Sequence, residues 1–276
     1  MKAAGIETLA GGIACAMLVS FCARADEGEW LRHCHGWPSD KLKSNGLECQ
    51  MLPMTSGYGP WTGGCMREKG ISFDAKIAGC SGLIGMHKFD GMKLADIYFN
   101  RGMAYHNTDQ IDLAIADYSH ALAAFRHFPE ALNARGQAYL VAGHYDLALA
   151  DLDEAIREAP NFATAFNNRC WTRAIWNKEL EAALADCNEA VRLAPAMAAF
   201  LDSRGFVRFR MGDYAGALDE YEAALKANPR SASSLYMRGL TKLRLGRGGE
   251  ANADLAAAAA IDPKVAETYA GYGVKP

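Results

Sequence analysis

The sequence predicts an all-α protein, a right-handed superhelical solenoid of helix hairpins that follows a small, loop-rich, cysteine-containing N-terminal module. Three observations lead to this fold class. A small residue recurs every 34 or 35 residues, an alanine follows it at a nearly constant distance, and a proline closes most of the repeats. A fixed period of this length is typical of repeat proteins, in which each repeat is one supersecondary unit.

The small residue marks the middle of the first predicted helix of each repeat and always follows an arginine. Its five positions are Gly102, Gly136, Cys170, Gly205 and Gly239. An alanine comes 12 or 13 residues later, at Ala114, Ala148, Ala183, Ala217 and Ala251. Proline is excluded from helix interiors, and Pro160, Pro195, Pro229 and Pro263 close four of the repeats. The pattern defines five units: 95–128, 129–162, 163–197, 198–231 and 232–263.

Each unit is expected to fold as two amphipathic helices joined by a turn such as Gly143-His144 or Gly212-Asp213. Small residues on the facing sides of the two helices permit a close approach of the helices. One hairpin cannot bury its apolar face alone, so neighbouring hairpins are expected to stack. Lys264 to Gly271 reads as one further helix that covers the apolar end of the stack.

On these residues the chain resembles the tetratricopeptide repeat family over residues 95–263. The resemblance implies a superhelix in which the first helices of the hairpins line a concave groove. Several positions depart from the family pattern. Arginine replaces leucine before the small residue in all five units, Arg126 stands where the first unit should close with proline, and Cys170 replaces glycine in the third unit.

The arginines before the small residue have acidic counterparts in the second helices. The acids Asp117, Asp151, Asp186, Glu220 and Asp254 occupy one register position, and the arginines are Arg101, Arg135, Arg169, Arg204 and Arg238. We therefore expect an ion pair between the two helices of each hairpin. Such a pair specifies register more than it adds stability.

The first 25 residues have the layout of a cleavable signal peptide. Lys2 is followed by the 13-residue apolar stretch Leu9 to Phe21 and by Ala23-Arg24-Ala25, a small-x-small cleavage site. A permanent membrane helix needs about 20 apolar residues. The large Phe21 before Cys22 disfavours lipid attachment. We expect cleavage after Ala25 and a periplasmic or secreted protein that is not an integral membrane protein.

Six cysteines remain after this cleavage, and an even number in an exported chain favours disulfides. Cys34, Cys49, Cys65 and Cys80 lie in a Cys-rich module over residues 26–90, at spacings of 15, 16 and 15. This module is rich in turn signals, apart from a predicted helix over Ser72 to His87, and we expect two disulfides without a choice among the three connectivities. A cysteine-containing helix before such repeats resembles bacterial exported tetratricopeptide proteins.

Cys170 and Cys187 fall at positions that should face each other where the helices of the third unit approach. We expect a disulfide here; the alternative is two buried free thiols that pack as small hydrophobes. His33-Cys34-His35 offers metal-ligand side chains, but its spacing does not suit one helix face and no second cluster supplies further ligands. We therefore predict no metal and no cofactor.

Catalytic motifs are absent from the sequence, including a phosphate loop, H-E-x-x-H, G-x-S-x-G and C-x-x-C. After cleavage at Ala25 the chain would carry 27 basic and 31 acidic side chains, a balance that does not favour nucleic-acid binding. A binding protein is the leading prediction, and an enzyme is not.

The resemblance places partner-binding positions three residues before and one, four and five residues after the small residue. The residues expected to contact a partner are Phe99, Asn133, Asn167, Trp171, Phe206, Phe209, Arg210, Tyr236 and Arg244. Aromatic residues and arginine are enriched at binding hot spots, and Arg210 and Arg244 favour an acidic peptide or protein ligand. Asp96 and Phe99 stand where chaperone-tail adaptors carry a carboxylate clamp, which disfavours that role.

The leading function is therefore an exported scaffold that binds a protein or peptide in its concave groove within the cell envelope. The alternative is a repeat mount for an N-terminal module that has its own ligand, metal or enzymatic activity. A third option is a homo-oligomer assembled through the groove or through the N-terminal end. The identity of the partner lies beyond the sequence.

Overall fold

A computed structural model describes Cys65 and residues 72–274, which form an all-helical solenoid. The expected signal peptide, the remainder of the module over residues 26–64, and Cys34 and Cys49 lie outside the described residues. The helices of the described part, in chain order, are α1 (Phe73–Gly85), α2 (Gly91–Asn107), α3 (Ile111–Ala124), α4 (Pro129–Val141), α5 (Tyr145–Glu158), α6 (Ala163–Trp176), α7 (Leu180–Leu193), α8 (Ala198–Arg210), α9 (Tyr214–Ala227), α10 (Ala232–Arg244), α11 (Gly248–Ile261) and α12 (Val265–Gly271).

Five hairpins, α2–α3 to α10–α11, follow one another, and all of their turns have the same backbone hydrogen bond. In the second hairpin the amide of His144 donates to the carbonyl of Tyr139 at 2.8 Å, and the residue between the helices, Gly143, has a φ of +79°. This arrangement is a Schellman-type helix end, which needs a left-handed residue. The corresponding left-handed residues are Asp109, Gly143, Asn177, Gly212 and Gly246.

The two helices of a hairpin meet at the small residue of the first helix. A Cβ atom added to Gly102 would lie 2.8 Å from the buried ring of Tyr118, and one added to Gly136 would lie 3.0 Å from Leu152. In the third unit the same two positions hold Cys170 and Cys187, which form a disulfide with 5.5 Å between their Cα atoms. The bridge accounts for the departure from glycine, since a covalent bond here holds the helices at the required short distance.

Successive hairpins stack so that the first helices form one continuous face. The first helices are α2, α4, α6, α8 and α10, and each of the first four contacts the next one in this series, whereas the second helices make no comparable contacts with one another within residues 72–274. The stack therefore curves toward the first helices, which line its concave side.

The ion pair expected between the helices of each hairpin is present in all five units. Nε of Arg135, for example, lies 2.7 Å from Oδ2 of Asp151. The five pairs are Arg101–Asp117, Arg135–Asp151, Arg169–Asp186, Arg204–Glu220 and Arg238–Asp254. The acids are almost fully buried and the arginines are half-buried, so the bonds also compensate part of the cost of removing charge from water.

Three of these arginines also join their hairpin to the preceding one. Nη1 of Arg135 donates to Ser119 Oγ of the preceding hairpin at 3.0 Å, and Arg169 and Arg204 likewise reach Asp153 at 2.7 Å and Asn188 at 3.2 Å. Each of these three guanidinium groups thus contributes to the packing within a unit and to the packing between units, because its fork of donors can bond two partners at once.

A second cation reaches the acid in the last three units. Three residues after the small residue, the first two units have Tyr105 and Tyr139, whereas the later units have Arg173, Arg208 and Lys242. Each of these three cations pairs with the acid of its own unit. Burial raises the pKa of the Asp254 carboxyl, but the bonds from Arg238 and Lys242 outweigh this effect and hold its pKa below the ordinary value. The departures from tyrosine therefore extend the ion-pair network.

The helix α1 occupies the place of a second helix before the first complete hairpin. It packs on α2, and Ser81 accepts a hydrogen bond of 2.9 Å from Nη1 of Arg101 as Ser119 does from Arg135. Cys80 of α1 forms a disulfide with Cys65, with 5.4 Å between the Cα atoms. The helix expected over Ser72 to His87 is observed as Phe73–Gly85, with Ser72 capping it.

Within residues 72–274 no helix is both long enough and apolar enough to cross a membrane.

Replacing Gly102 by alanine is expected to destabilise the protein, because the new Cβ would lie 2.8 Å from the ring of Tyr118. The expected loss in the free energy of unfolding is about 1–3 kcal/mol, measured by urea denaturation. Gly79→Ala is the matched control: nothing lies within 4 Å of its added Cβ, and higher helix propensity should stabilise α1 by about 0.5–1 kcal/mol. Equal effects of both substitutions would show that the close approach is unimportant.

The pair Arg135–Asp151 is expected to show coupling in a double-mutant cycle. Arg135→Ala, Asp151→Ala and the double variant should give a coupling free energy of about 1–3 kcal/mol, because either single change leaves a partly buried charge without its partner. The exposed pair Glu154–Arg157 is the control and should give little coupling. Additive single effects at Arg135 and Asp151 would contradict a structural role for the pair.

Candidate functional site

The concave face of the solenoid is defined by the residue that follows the small residue in each first helix. These residues are Met103, Gln137, Trp171, Phe206 and Leu240. They share one register position, and the first helices contact one another in series, so these side chains lie on the same face of the stack. The face is not uniform: Met103 is 42 % exposed, whereas Phe206 is fully buried.

The half of the concave face formed by α6, α8 and α10 is filled by the chain's own C-terminal segment, residues 265–274. The ring centroid of Tyr269 lies 5.4 Å from that of Tyr236 and 5.7 Å from that of Phe206. Tyr272 packs edge-on against Trp171, with 5.9 Å between centroids. Val265, Tyr269 and Val274 are buried in the same apolar cluster as these rings. On this half the rings of Phe206 and Tyr236 therefore belong to the core.

Arg210 fastens the C-terminal segment to the concave face. Its guanidinium donates to the carbonyl oxygen of Tyr272 and lies over the ring of Phe206, 5.1 Å from the centroid. Burial lowers the pKa of Arg210 from its ordinary value. Its bond to a backbone carbonyl means that this guanidinium serves the fold of the chain.

From the sequence, Phe206, Phe209, Arg210 and Tyr236 are expected to contact a partner. All four lie against the C-terminal segment or in the core around it. The segment was expected only to cover the end of the stack, but it also covers the inner side. The sequence signal for this second apolar contact is the pair Tyr269 and Tyr272, three residues apart in the C-terminal segment.

The half formed by α2 and α4 is open. Val141 is 58 % exposed, Asn107 is exposed, and Gln137 is half-buried on this side. The expected contact residues Phe99 and Asn133 have structural neighbours: Phe99 packs on Tyr118 and Phe128, and Asn133 Oδ1 accepts a hydrogen bond of 2.8 Å from Asn168. Arg244, also expected at the groove, is exposed at the end of α10.

An open pocket of about 400 Å³ lies where the C-terminal segment meets the concave face. Its walls come from α6, α8, the start of α10 and α12. Trp171 and Tyr272 form an aromatic side, whereas Asn167, Asp202 and a group of serines form a polar side. Two expected contact residues, Asn167 and Trp171, are thus brought together with Asp202, which stands three residues before Gly205 at the same register position as Asn167.

Asp202 is one of two carboxylates that line this pocket, and Asp262 is the other. Ser234 Oγ donates to its Oδ1, and Ser233 also bonds to the carboxylate. Burial raises the pKa of Asp202 to about 6, and the hydrogen bonds from the serines reduce this rise. The phenols of Tyr221 and Tyr269 lie nearby, and burial raises their pKa values well above the ordinary value.

Within the described residues no three His, Cys, Asp or Glu side chains come together as a metal site. His33-Cys34-His35 lies outside the described residues.

Three stretches of the chain match family models described as tetratricopeptide repeat. The matched residues are 95–127, 129–162 and 205–266. A comparison with curated proteins gave no match.

Solved structures of tetratricopeptide repeat proteins share this fold. A protein from Parabacteroides merdae ATCC 43184 matches with a TM-score of 0.58 at 15 % identity, covering 72 % of this chain and 81 % of that chain. A thermophilic TPR protein from Thermus thermophilus, TTC0263, gives 0.56 at 22 % identity, with 65 % and 97 % covered. YrrB, titled a TPR protein with an unusual peptide-binding site, gives 0.50 at 20 % identity, with 71 % and 98 % covered.

The raised pKa of Asp202 predicts a pH-dependent stability difference between the wild type and Asp202→Asn. As the pH rises from about 4 to about 6, the Asp202 carboxyl loses its proton in the unfolded chain at a lower pH than in the folded chain. The wild type therefore loses stability over this range, whereas the asparagine variant does not. The variant should gain up to about 3 kcal/mol relative to the wild type between pH 4 and pH 7. Urea denaturation at each pH measures the difference. Asp219→Asn, at an exposed carboxylate, is the control, and parallel pH profiles for wild type and Asp202→Asn would contradict the prediction.

Proposed function

The chain belongs to the tetratricopeptide repeat family, and from that premise we propose that it is a scaffold that binds a peptide segment of a partner protein. The binding surface is the open half of the concave face, on α2 and α4. The observation that carries the proposal is the exposed apolar pair Met103 and Val141, one on each of these neighbouring helices.

Exposed apolar side chains on adjacent helices favour a partner, because a contact there removes apolar surface from water. Polar groups lie beside the apolar ones: Asn107 is exposed and Gln137 is half-buried. Amide side chains donate and accept hydrogen bonds and thus suit a peptide backbone. The C-terminal segment packs on the other half, whereas Met103 and Val141 stay exposed on the open half.

The described peptide-binding site of YrrB supports the same class of ligand for this chain, since the two share a fold. Of the two arginines from which an acidic ligand is expected, Arg210 bonds the carbonyl of Tyr272 and is thus engaged by the chain itself.

We also propose that the scaffold acts in the periplasm or outside the cell. The support is the signal-peptide layout of residues 1–25. The disulfides Cys65–Cys80 and Cys170–Cys187 agree with an oxidising compartment, where such bonds persist.

Site-specific photo-crosslinking in cells tests the proposed surface. A photo-crosslinking amino acid at position 141 should yield a discrete adduct with a partner protein, identified by mass spectrometry. The matched control is position 147 on the second helix α5, where Leu147 is 50 % exposed. Met103→Glu combined with Val141→Asp, tested with the crosslinker at position 107, should reduce the adduct about tenfold, because charge in the contact must be desolvated.

Adducts that form equally at position 147, or that persist in the Met103→Glu, Val141→Asp variant, would overturn the concave site. Circular dichroism of the purified variants establishes that a lost adduct reflects the surface and not the fold.

A further inference from the structure

We propose that the pocket between α6, α8, α10 and α12 binds the side chain of a lysine or arginine of the partner peptide. This inference rests on the proposed function, because it assigns one recognition subsite to a peptide that lies along the concave face. It also differs from the acidic ligand expected from the sequence.

The charges of the pocket favour a cation. Asp202 and Asp262 both line it, and the lining residues include no lysine and no arginine among the described part of the chain. Arg210 is directed to the carbonyl of Tyr272 and is not among the lining residues. A ligand ammonium or guanidinium group would therefore meet the Asp202 carboxylate in a partly enclosed space, where charge interactions are stronger than in bulk water. Asp262 adds a second negative charge to the lining, although its Oδ1 also accepts a hydrogen bond of 2.9 Å from the amide of Lys264.

A buried acceptor without a partner points to the same chemistry. Asn167 lines the pocket and is 9 % exposed, and its Oδ1 has no hydrogen-bond partner among the described residues. A buried polar atom without a bond is costly. A donor group from a ligand would satisfy it, and lysine and arginine side chains are donors only.

The aromatic wall suits the rest of such a side chain. Trp171 and Tyr272 meet at an interplanar angle of 89°, and both residues line the pocket. Aromatic faces attract cations and also pack against the methylene groups of lysine and arginine. The pocket volume of about 400 Å³ accommodates one long side chain.

The first turns of α8 and α10 also border the pocket, and helix N-termini carry partial positive charge. At α10 the serine at the N-cap, Ser231, accepts a hydrogen bond of 3.2 Å from the amide of Ser234. Asp202 stands in the first turn and a half of α8. Ser231 and Asp202 thus offset part of the positive partial charge at these two helix N-termini. Asp262 adds a further negative charge to the pocket.

Burial holds the pKa of Asp202 at about 6, and no cation within residues 72–274 offsets this effect in the unliganded chain. A bound ammonium or guanidinium group would stabilise the ionised form. Carboxyl groups whose pKa is shifted by burial cluster at functional sites. Asp202 fits this pattern, and the ligand would supply its counter-charge.

Binding of capped amino acids to the full chain tests the proposal. The probes are Nα-acetyl-L-lysine N-methylamide and its arginine counterpart, followed by NMR through the indole signal of Trp171, which is assigned with Trp171→Phe. Both should cause a saturable shift. The norleucine and glutamate counterparts, which lack a positive charge, should cause none.

Asp202→Asn should weaken the lysine and arginine probes by about tenfold or more, since it removes a charged hydrogen-bond partner. Asn167→Ala should weaken them several-fold, and the exposed Asp219→Asn should have no effect. A shift of equal size with norleucine or glutamate, no saturation with lysine and arginine, or unchanged binding in Asp202→Asn would overturn the proposal. Crosslinks at position 141 alongside such a result would leave the scaffold function intact and remove only this subsite.

Discussion

The close approach of the two helices at the small residue of each unit is the constraint on which the rest of the structure depends. Where this residue is glycine, the ring of Tyr118 or the side chain of Leu152 fills the space that a Cβ would take. The short distance brings the arginine before it within 2.7 Å of an acid on the second helix. The third unit reaches the same geometry with a disulfide between Cys170 and Cys187. One local distance thus positions the ion pairs and the stack.

The ion pairs connect neighbouring units as well as neighbouring helices. Because each guanidinium has several donors in one plane, Arg135 bonds Asp151 of its own unit and Ser119 of the previous unit. Arg101 makes the same pair of contacts with Asp117 and with Ser81 of α1. The helix α1 therefore continues the stack toward the N-terminus, and the Cys65–Cys80 bridge ties residue 65 to it.

The C-terminal segment decides which part of the concave face can serve recognition. By packing Tyr269 and Tyr272 against α6, α8 and α10, it converts expected contact residues into core and leaves α2 and α4 open. It also forms one wall of the pocket, whose other walls come from the repeats and whose lining includes Asp202. Asn167 and Tyr236 both stand three residues before the small residue of their units, but their surroundings differ. Asn167 lines the pocket, whereas Tyr236 stacks on Tyr269.

The sequence by itself determined the helix hairpins, their period and the five ion pairs, because these follow from residues 16 or 17 apart that recur at one register. The distance between Cys170 and Cys187 was implied by the same register. Only the tertiary structure decided which part of the concave face is covered by the C-terminal segment and which part stays exposed. A short helix such as α12 can pack on the end of a stack or on its inner side. Its own sequence does not distinguish these two positions, because the burial of apolar surface is non-directional. Where Tyr269 and Tyr272 pack depends on the curvature that the whole stack produces, and no single repeat encodes it.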